Sequence, residues 1–172
     1  MKIEFGPRGI LRVTDARIIF KNFAGERKQY NSAGDRNFCL VIEDAAMADM
    51  LKDEGWNIKV RDPRDPQDDP LLYIKVKVRF NDYGPNVYLQ SGPKAMVRLN
   101  ERTVARLDKL RLACCDMDIR PWDGETPDGR PYRTAFLKNL KAIQDIDDPY
   151  AEEYERINGG SSAPANDDDV PF

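Results

Sequence analysis

The segment Leu71–Phe80 (LLYIKVKVRF) alternates apolar residues with residues that could bind a charged polymer. Successive side chains of a β-strand point to opposite faces, so the apolar set can enter a core. The other face then carries Tyr73, Lys75, Lys77 and Arg79 with no acid between them. Cations follow phosphates and aromatic rings stack on unpaired bases, so this pattern is typical of a single-strand nucleic-acid platform. A solvated amphipathic strand is the alternative interpretation.

A second group of cations and rings lies in a Gly- and Pro-rich stretch between two predicted strands. Its members are Arg120, Trp122, Arg130, Tyr132 and Arg133. In small OB barrels the loop between the last two strands commonly lies over the bound strand. The stretch is therefore predicted to be a loop that closes over the platform, unless Trp122 only anchors it on the barrel.

A third mixture of cations and rings runs from Arg17 to Tyr30 near the N-terminus. Lys21 is the candidate nucleic-acid contact from this segment. Phe20 and Phe23 either add aromatic surface to the same face or belong to the core.

The composition argues against catalysis. The chain has 172 residues and no histidine, which excludes His-based triads, His general bases and His metal ligands. Its three cysteines (Cys39, Cys114 and Cys115) form no CxxC pair, so neither a disulfide framework nor a zinc site is expected. Four aspartates between residues 62 and 69 could suggest a two-metal nuclease. They share one Pro-rich loop, which favours a solvated loop. No catalytic residue, metal or cofactor is predicted.

The formal net charge of −3 is the sum of two parts of opposite sign. Residues 1–144 contain 26 Lys or Arg and 21 Asp or Glu, a charge of +5, whereas residues 145–172 contain one Arg and nine acids, a charge of −8. A basic body with an acidic tail is compatible with a nucleic-acid partner, although the pI of about 5.2 taken alone argues against one.

The elements that must position these residues are mostly short strands. Strands are predicted over 10–23 with a bend near Thr14–Asp15, and over 36–42, 57–61, 71–80, 86–90, 110–119 and 132–143. Strand 86–90 is expected to pair with 71–80 across the turn at 82–85. Helices are predicted over 43–54 and 100–107.

This pattern predicts a mainly β fold, an OB-like small β-barrel with one or two helical insertions, spanning residues 1–144. A β-sandwich with a helical flank is the alternative. Residues 145–172 are expected to be a disordered acidic linker and tail. No apolar run is long enough to span a membrane, and the N-terminus has no signal-peptide core, so a cytoplasmic location is expected.

The last six residues, DDDVPF, resemble the C-terminal tip of bacterial single-stranded DNA-binding proteins, with Val170 in place of isoleucine. The layout of the body is similar to that of divergent OB-fold ssDNA-binding proteins of bacteriophages. This resemblance implies a protein that coats ssDNA during replication, recombination or repair. It also implies that the tip recruits proteins of those pathways, through Asp167, Asp168, Asp169, Val170, Pro171 and Phe172.

Several alternatives stay open from the sequence. The body could be an RNA-binding or chaperone-like OB protein, a metal-dependent nuclease, or an adaptor whose only function is to present the tip. Assembly into a homo-oligomer also remains open.

The opposite charges of body and tail generate a first prediction. A flexible tail of 28 residues would span roughly 30 Å, enough to reach around a small barrel and compete with ssDNA for the basic body. Deleting residues 159–172 is therefore expected to tighten ssDNA binding at low salt, as measured by oligonucleotide titration. Unchanged affinity would contradict this competition.

Overall fold

The computed structural model describes residues 1–145. In this part of the chain the strands are β1 (Lys2–Phe5), β2 (Leu11–Ala16), β3 (Ile18–Asn22), β4 (Arg36–Ile42), β5 (Lys59–Arg61), β6 (Leu71–Val78), β7 (Asn86–Gly92), β8 (Ala95–Leu99), β9 (Leu112–Glu125) and β10 (Pro131–Gln144). The helices are α1 (Ala45–Asp53) and two short 3-10 helices, Pro7–Gly9 and Val104–Asp108. The predicted tail from residue 146 onward, with its tip at 167–172, lies outside the described residues.

The strands form one sheet in the order β1-β2-β9-β10-β6-β4-β3, which excludes the two-sheet sandwich. β2 and β3 are two halves of one bent strand, and the bend follows Asp15, whose φ is 56°. The hydrogen-bonded order of strands does not close into a ring, because β2 and β3 are joined only by the chain at Arg17 and do not pair with each other. With β2–β3 counted as one strand, β4, β6, β9 and β10 complete a partly open, OB-like barrel.

β10 is the strand on which this arrangement converges. It pairs with β9 antiparallel along its whole length. Its other edge pairs in parallel first with β6, at Ala135 and Phe136, and then with β7, at Asn139 to Ile143. A register irregularity between Leu137 and Asn139 separates the two pairings.

The predicted pairing of residues 86–90 with 71–80 is wrong. β7 lies between β10 and β8, a strand that the sequence pattern did not reveal. Both edges of β6 are already occupied, by β4 along one side and by β5 and β10 along the other. The free edge that remains for β7 belongs to the second half of β10.

Local signals located the other elements well. The 36–42 strand, the bent N-terminal strand and the apolar alternation of β6 are confirmed. Helix α1 begins after Asp44, whose carboxylate accepts a hydrogen bond from the Met47 amide (2.6 Å). It ends before Gly55, whose φ of 97° favours glycine. The second predicted helix is shorter, a 3-10 helix at Val104–Asp108. β1 was not predicted.

The stretch predicted as a loop over the platform is mostly a β-hairpin. β9 continues to Glu125 and β10 begins at Pro131, so only residues 126–130 form the turn. Cross-strand pairs such as Trp122 with Thr134 extend the ladder beyond the body of the barrel. The backbone hydrogen bonds of a ladder outweigh the turn propensity of the prolines and glycines here.

The apolar faces of these strands enclose a single core around Phe23, Phe38, Leu40, Val76 and Ile119. No helix in residues 1–145 is long and apolar enough to cross a membrane.

Candidate nucleic-acid interface

A groove of about 800 Å³ opens on the face of β6, β9 and β10 that points away from the core. We call it the central groove; it is lined by Lys77, Arg79, Asn81, Tyr83, Gly84, Pro85, Arg120, Trp122, Tyr132, Thr134, Phe136, Leu137 and Lys138. Four of these side chains are cationic, and none of the described residues that line the groove is acidic. Four aromatic rings accompany the cations. The groove therefore presents a continuous positive surface that also contains stacking surfaces.

The floor of the groove is a row of three paired residues. Phe136 on β10 is in register with Lys77 on β6 and with Arg120 on β9. The Arg120 guanidinium lies 5.1 Å from the centroid of the Phe136 ring, and the Arg79 guanidinium lies 5.6 Å from it. Each contact is a cation–π arrangement. Strand register thus brings three cations together around one ring.

The hairpin contributes a pair of aromatic side chains at one end of the groove. Trp122 and Tyr132 lie with ring centroids 5.8 Å apart and planes tilted by 49°. Trp122 is 47% exposed, whereas the other tryptophan, Trp56, lies in the core and is 4% exposed. The pair packs over Gly124, where an added Cβ would lie 2.7 Å from the Trp122 ring and 2.8 Å from the Tyr132 ring. A side chain at this position would therefore displace the outer ends of the two rings.

The positive surface continues along β6 beyond the central groove. Lys75 and Lys77 line a smaller cavity of about 110 Å³, at the point where the partner of β6 changes from β5 to β10. Lys59 on β5 lines the same cavity and is in register with Tyr73. On the other side, a cavity of about 240 Å³ joins Lys77 and other β6 residues to the connection between β3 and β4, and two acids, Asp35 and Glu101, line it together with the cations.

The structure brings together most of the residues predicted from the sequence. Lys77, Arg79, Arg120, Trp122 and Tyr132 line the central groove. Lys75 lies next to them, and Tyr73 follows further along the same face of β6. The two predicted groups therefore form one surface, because β6 and the hairpin are neighbours through β10.

Two arginines of the hairpin do not line the central groove, although Arg133 lines the smaller cavity that contains Lys75. Arg133 donates to the Asp123 carboxylate (2.6 and 3.1 Å) and to the Glu54 carbonyl (2.8 Å), and its guanidinium lies 5.0 Å from the Trp56 ring centroid. These contacts attach the hairpin to the end of α1. The ion pair also lowers the pKa of the Asp123 carboxyl. Arg130 lies in the turn and is paired with Asp128 (2.7 Å), outside the lining of the groove.

Lys21 does not lie on this surface, which corrects its selection as a contact. Its ammonium group donates to the carbonyls of Leu107 (2.7 Å) and Leu110 (2.5 Å). Burial lowers the pKa of this lysine. Its side chain ties β3 to the segment around the second 3-10 helix, which is a structural role.

Three cationic or aromatic residues of the groove were missed in the sequence. Phe136 could have been found from the alternation in 132–143, because it shares the parity of Tyr132 and Thr134. Tyr83 and Lys138 reach the groove only because the turn after β6 and the register irregularity in β10 lie beside it. No local pattern marks either of them.

The chain matches the sequence family of phage ssDNA-binding domains over residues 4–163. It belongs to that family. No curated protein sequence matches it.

Three solved structures similar to this phage ssDNA-binding domain are of the single-stranded DNA-binding protein of bacteriophage Enc34. The form in complex with ssDNA is 15% identical, with a TM-score of 0.56 over 83% of this chain and 90% of that one. The protein alone is 14% identical, with a TM-score of 0.54 over 88% of this chain and 93% of the other. A C-terminally truncated form is 14% identical, with a TM-score of 0.54 over 81% of this chain and 87% of that one. The likeness supports the same fold.

Charge is balanced in another cavity of this ssDNA-binding domain. A second cavity of about 410 Å³, between β2, β7, β9 and β10, is lined by two cations and two carboxylates. Arg12 pairs with Asp118 (2.8 Å) and Lys141 with Asp116 (3.6 Å). The hydrogen bond from Arg12 lowers the pKa of Asp118. Cations in that cavity are therefore neutralised within the protein.

The aspartates of the Pro-rich loop do not assemble a metal site in the part of the chain that is described. No group of three or more carboxylate or thiol side chains in residues 1–145 is arranged to hold a metal ion. The thiol of Cys115 is buried, which raises its pKa to about 12.

The packing over Gly124 generates a second prediction. In Gly124→Ala the new methyl group would displace the rings of Trp122 and Tyr132, so the tryptophan emission and near-UV circular dichroism of the folded protein are expected to change. Both rings are partly exposed and can move aside, so urea unfolding should show a loss of stability no larger than about 1 kcal/mol, the lower end of the range for overpacking. Gly92→Ala is the matched control, because an added Cβ there meets only Ala95 at 3.9 Å. Equal spectra for the two variants would contradict the packing of the two rings over Gly124.

Proposed function

We propose that this protein binds single-stranded DNA along the central groove and the adjoining face of β6, without reading base sequence. The observation that carries the proposal is the lining of the groove, in which four cations and four aromatic rings occur with no carboxylate among the described residues. Membership of the phage ssDNA-binding domain family supports it.

The groove contains cations that suit the phosphates of a single strand and aromatic rings that suit its bases. The cations Lys77, Arg79 and Arg120 can neutralise successive phosphates. Trp122 and Tyr132 offer faces to unpaired bases, and every base has such a face, so stacking tolerates any sequence. The two arginines that lie against Phe136 are partly immobilised before DNA arrives, which reduces the entropy lost when they bind phosphate.

The same proposal makes the protein a binding protein rather than an enzyme, acting in replication, recombination or repair. An OB barrel commonly binds oligonucleotides through its second and third strands and through two loops, one after the first strand and one before the last. Here those parts are β4, β6, the β3–β4 connection and the β9–β10 hairpin. The 240 Å³ cavity beside the β3–β4 connection lies against the same lysines of β6.

We further propose that residues 145–172 form a separate segment that recruits replication or repair proteins. The support is the resemblance of DDDVPF at 167–172 to the tip of bacterial single-stranded DNA-binding proteins. Acidic residues steer this tip toward a basic rim, and the Phe172 ring suits a hydrophobic pocket.

Cation variants test the groove by salt dependence. In Lys77→Ala or Arg120→Ala, loss of one phosphate contact is expected to weaken oligo-dT binding and to reduce the slope of log K against log salt by about 0.7. Quenching of Trp122 fluorescence reports binding, since the other tryptophan is buried. Lys141→Ala is the matched control, because that lysine is paired with Asp116 in the balanced cavity.

Each result of this titration has a distinct meaning. Equal slopes for Lys77→Ala and Lys141→Ala would place the phosphates elsewhere, and an absence of binding at low salt would remove the proposed function. Competition between oligo-dT and oligo-rU measures the preference for DNA, and stronger binding of oligo-rU would favour the RNA-binding alternative.

The tip is tested with extracts of the bacterial host. Phe172→Ala in the full chain is expected to retain fewer replication and repair proteins on an affinity column, as quantified by mass spectrometry, while oligo-dT binding is preserved. Ser161→Ala, in the linker, is the control. Retention of the same proteins by both variants would show that Phe172 does not recruit them.

A further inference from the structure

Phe20 is an exposed aromatic residue held in an unfavourable backbone conformation. Its side chain is 53% exposed, and its φ is 51°, in the left-handed region that bulky residues rarely adopt. It lies in β3, where the register with β4 is interrupted between Ile19 and Asn22. An exposed ring contributes little to folding, and such strain costs about 1–3 kcal/mol and concentrates at functional sites. The position therefore calls for a functional explanation.

The ring of Phe20 meets a cation from a distant strand. The Arg61 guanidinium of β5 lies 5.3 Å from the Phe20 ring centroid, although β4 and β6 separate β3 from β5 in the sheet. Arg61 is two residues from Lys59 and so shares its face of β5. Lys59 in turn is in register with Tyr73. The contact thus lies on the β6 face that carries the predicted cations.

Two apolar residues of β4 lie on the same outer face of the sheet as these cations. Cys39 and Val41 on β4 are 7% and 6% exposed but lie outside the central core. They are in register with Lys75 and Tyr73, respectively. Burial raises the pKa of the Cys39 thiol, and the nearby charges of Lys75 and Lys59 oppose that effect. Neighbouring side chains therefore cover the outer face of β4 and β6 around Cys39 and Val41, next to the cations.

We propose that Phe20 and Arg61 form a second base-stacking site, beyond Tyr73 at the Leu71 end of β6. This inference rests on the proposed function and extends it. An unpaired nucleobase would stack on the exposed part of the Phe20 ring, and Arg61 would approach the adjacent phosphate. The strained backbone presents the ring to solvent and so pre-organises it for the base.

The separation of the two sites predicts a dependence on oligonucleotide length. Leu71, the partner of Arg61, is six residues from Lys77 on β6, a distance of about 20 Å at 3.3 Å per residue. A short strand held at Lys77 and Arg79 does not extend to Phe20, whereas a long strand can contact both sites. Only long oligonucleotides should therefore gain affinity from Phe20.

The test compares Phe20→Gly with the unmodified full chain, using oligo-dT of about 4 and about 16 nucleotides, the limits of OB-fold site sizes. Glycine adopts this φ freely, so the variant is expected to keep the fold, which its circular dichroism and Tm check. We expect affinity for the long oligonucleotide to fall about fivefold or more, the lower limit for one stacked base, and affinity for the short one to stay unchanged. Arg61→Ala should weaken the long complex in the same way.

Phe5→Ala is the control, since Phe5 is an exposed phenylalanine on β1, at the opposite end of the strand order. If the unmodified chain binds neither oligonucleotide, the proposed function fails. If it binds both and Phe20→Gly binds them equally well, the second site is disproved. An equal loss at both lengths would also overturn it, because Phe20 would then maintain the shape of the groove instead of contacting DNA.

Discussion

The hydrogen-bonding pattern of β10 is the constraint on which the rest of the structure depends. One edge of this strand is filled by β9, and the other is shared by β6 and β7 on either side of a register irregularity. These pairings place Lys77 of β6 and Arg120 of β9 on either side of Phe136, in one row. The same antiparallel ladder carries the hairpin outward with Trp122 above Gly124. A one-residue shift in the β10 register would move every side chain of this strand to the opposite face and disrupt both the core and the groove.

The distribution of charge follows from that framework. Among the described residues that line the central groove, cations occur and carboxylates do not. On another face, Arg12 and Lys141 are each paired with an aspartate. Arg133 shows a third use of positive charge, because it stacks on Trp56 and attaches the hairpin to α1. The protein therefore separates cations that hold the fold together from cations that are available to a polyanion.

Prediction from sequence succeeded where the signal was local. The alternation in β6, the capped helix α1 and the bend near Asp15 all depend on neighbouring residues, and the structure confirms them. It failed where the outcome depended on a distant edge, as for β7, which pairs with β10 instead of β6. Lys21 shows the same limit, since its sequence neighbours suggested a contact face and its partners are carbonyls more than eighty residues away.

The sequence by itself determined the mainly β class, the basic body with its acidic tail, and the two groups of cations and rings. These follow from composition and from periodicity along the strand. Only the tertiary structure decided that the two groups form one surface, that Arg133 and Lys21 are used inside the protein, and that Phe20 is outside the core while Phe23 is within it. The physical reason is that strand pairing and register between residues far apart in sequence decide which side chains become neighbours, and no local pattern encodes that register.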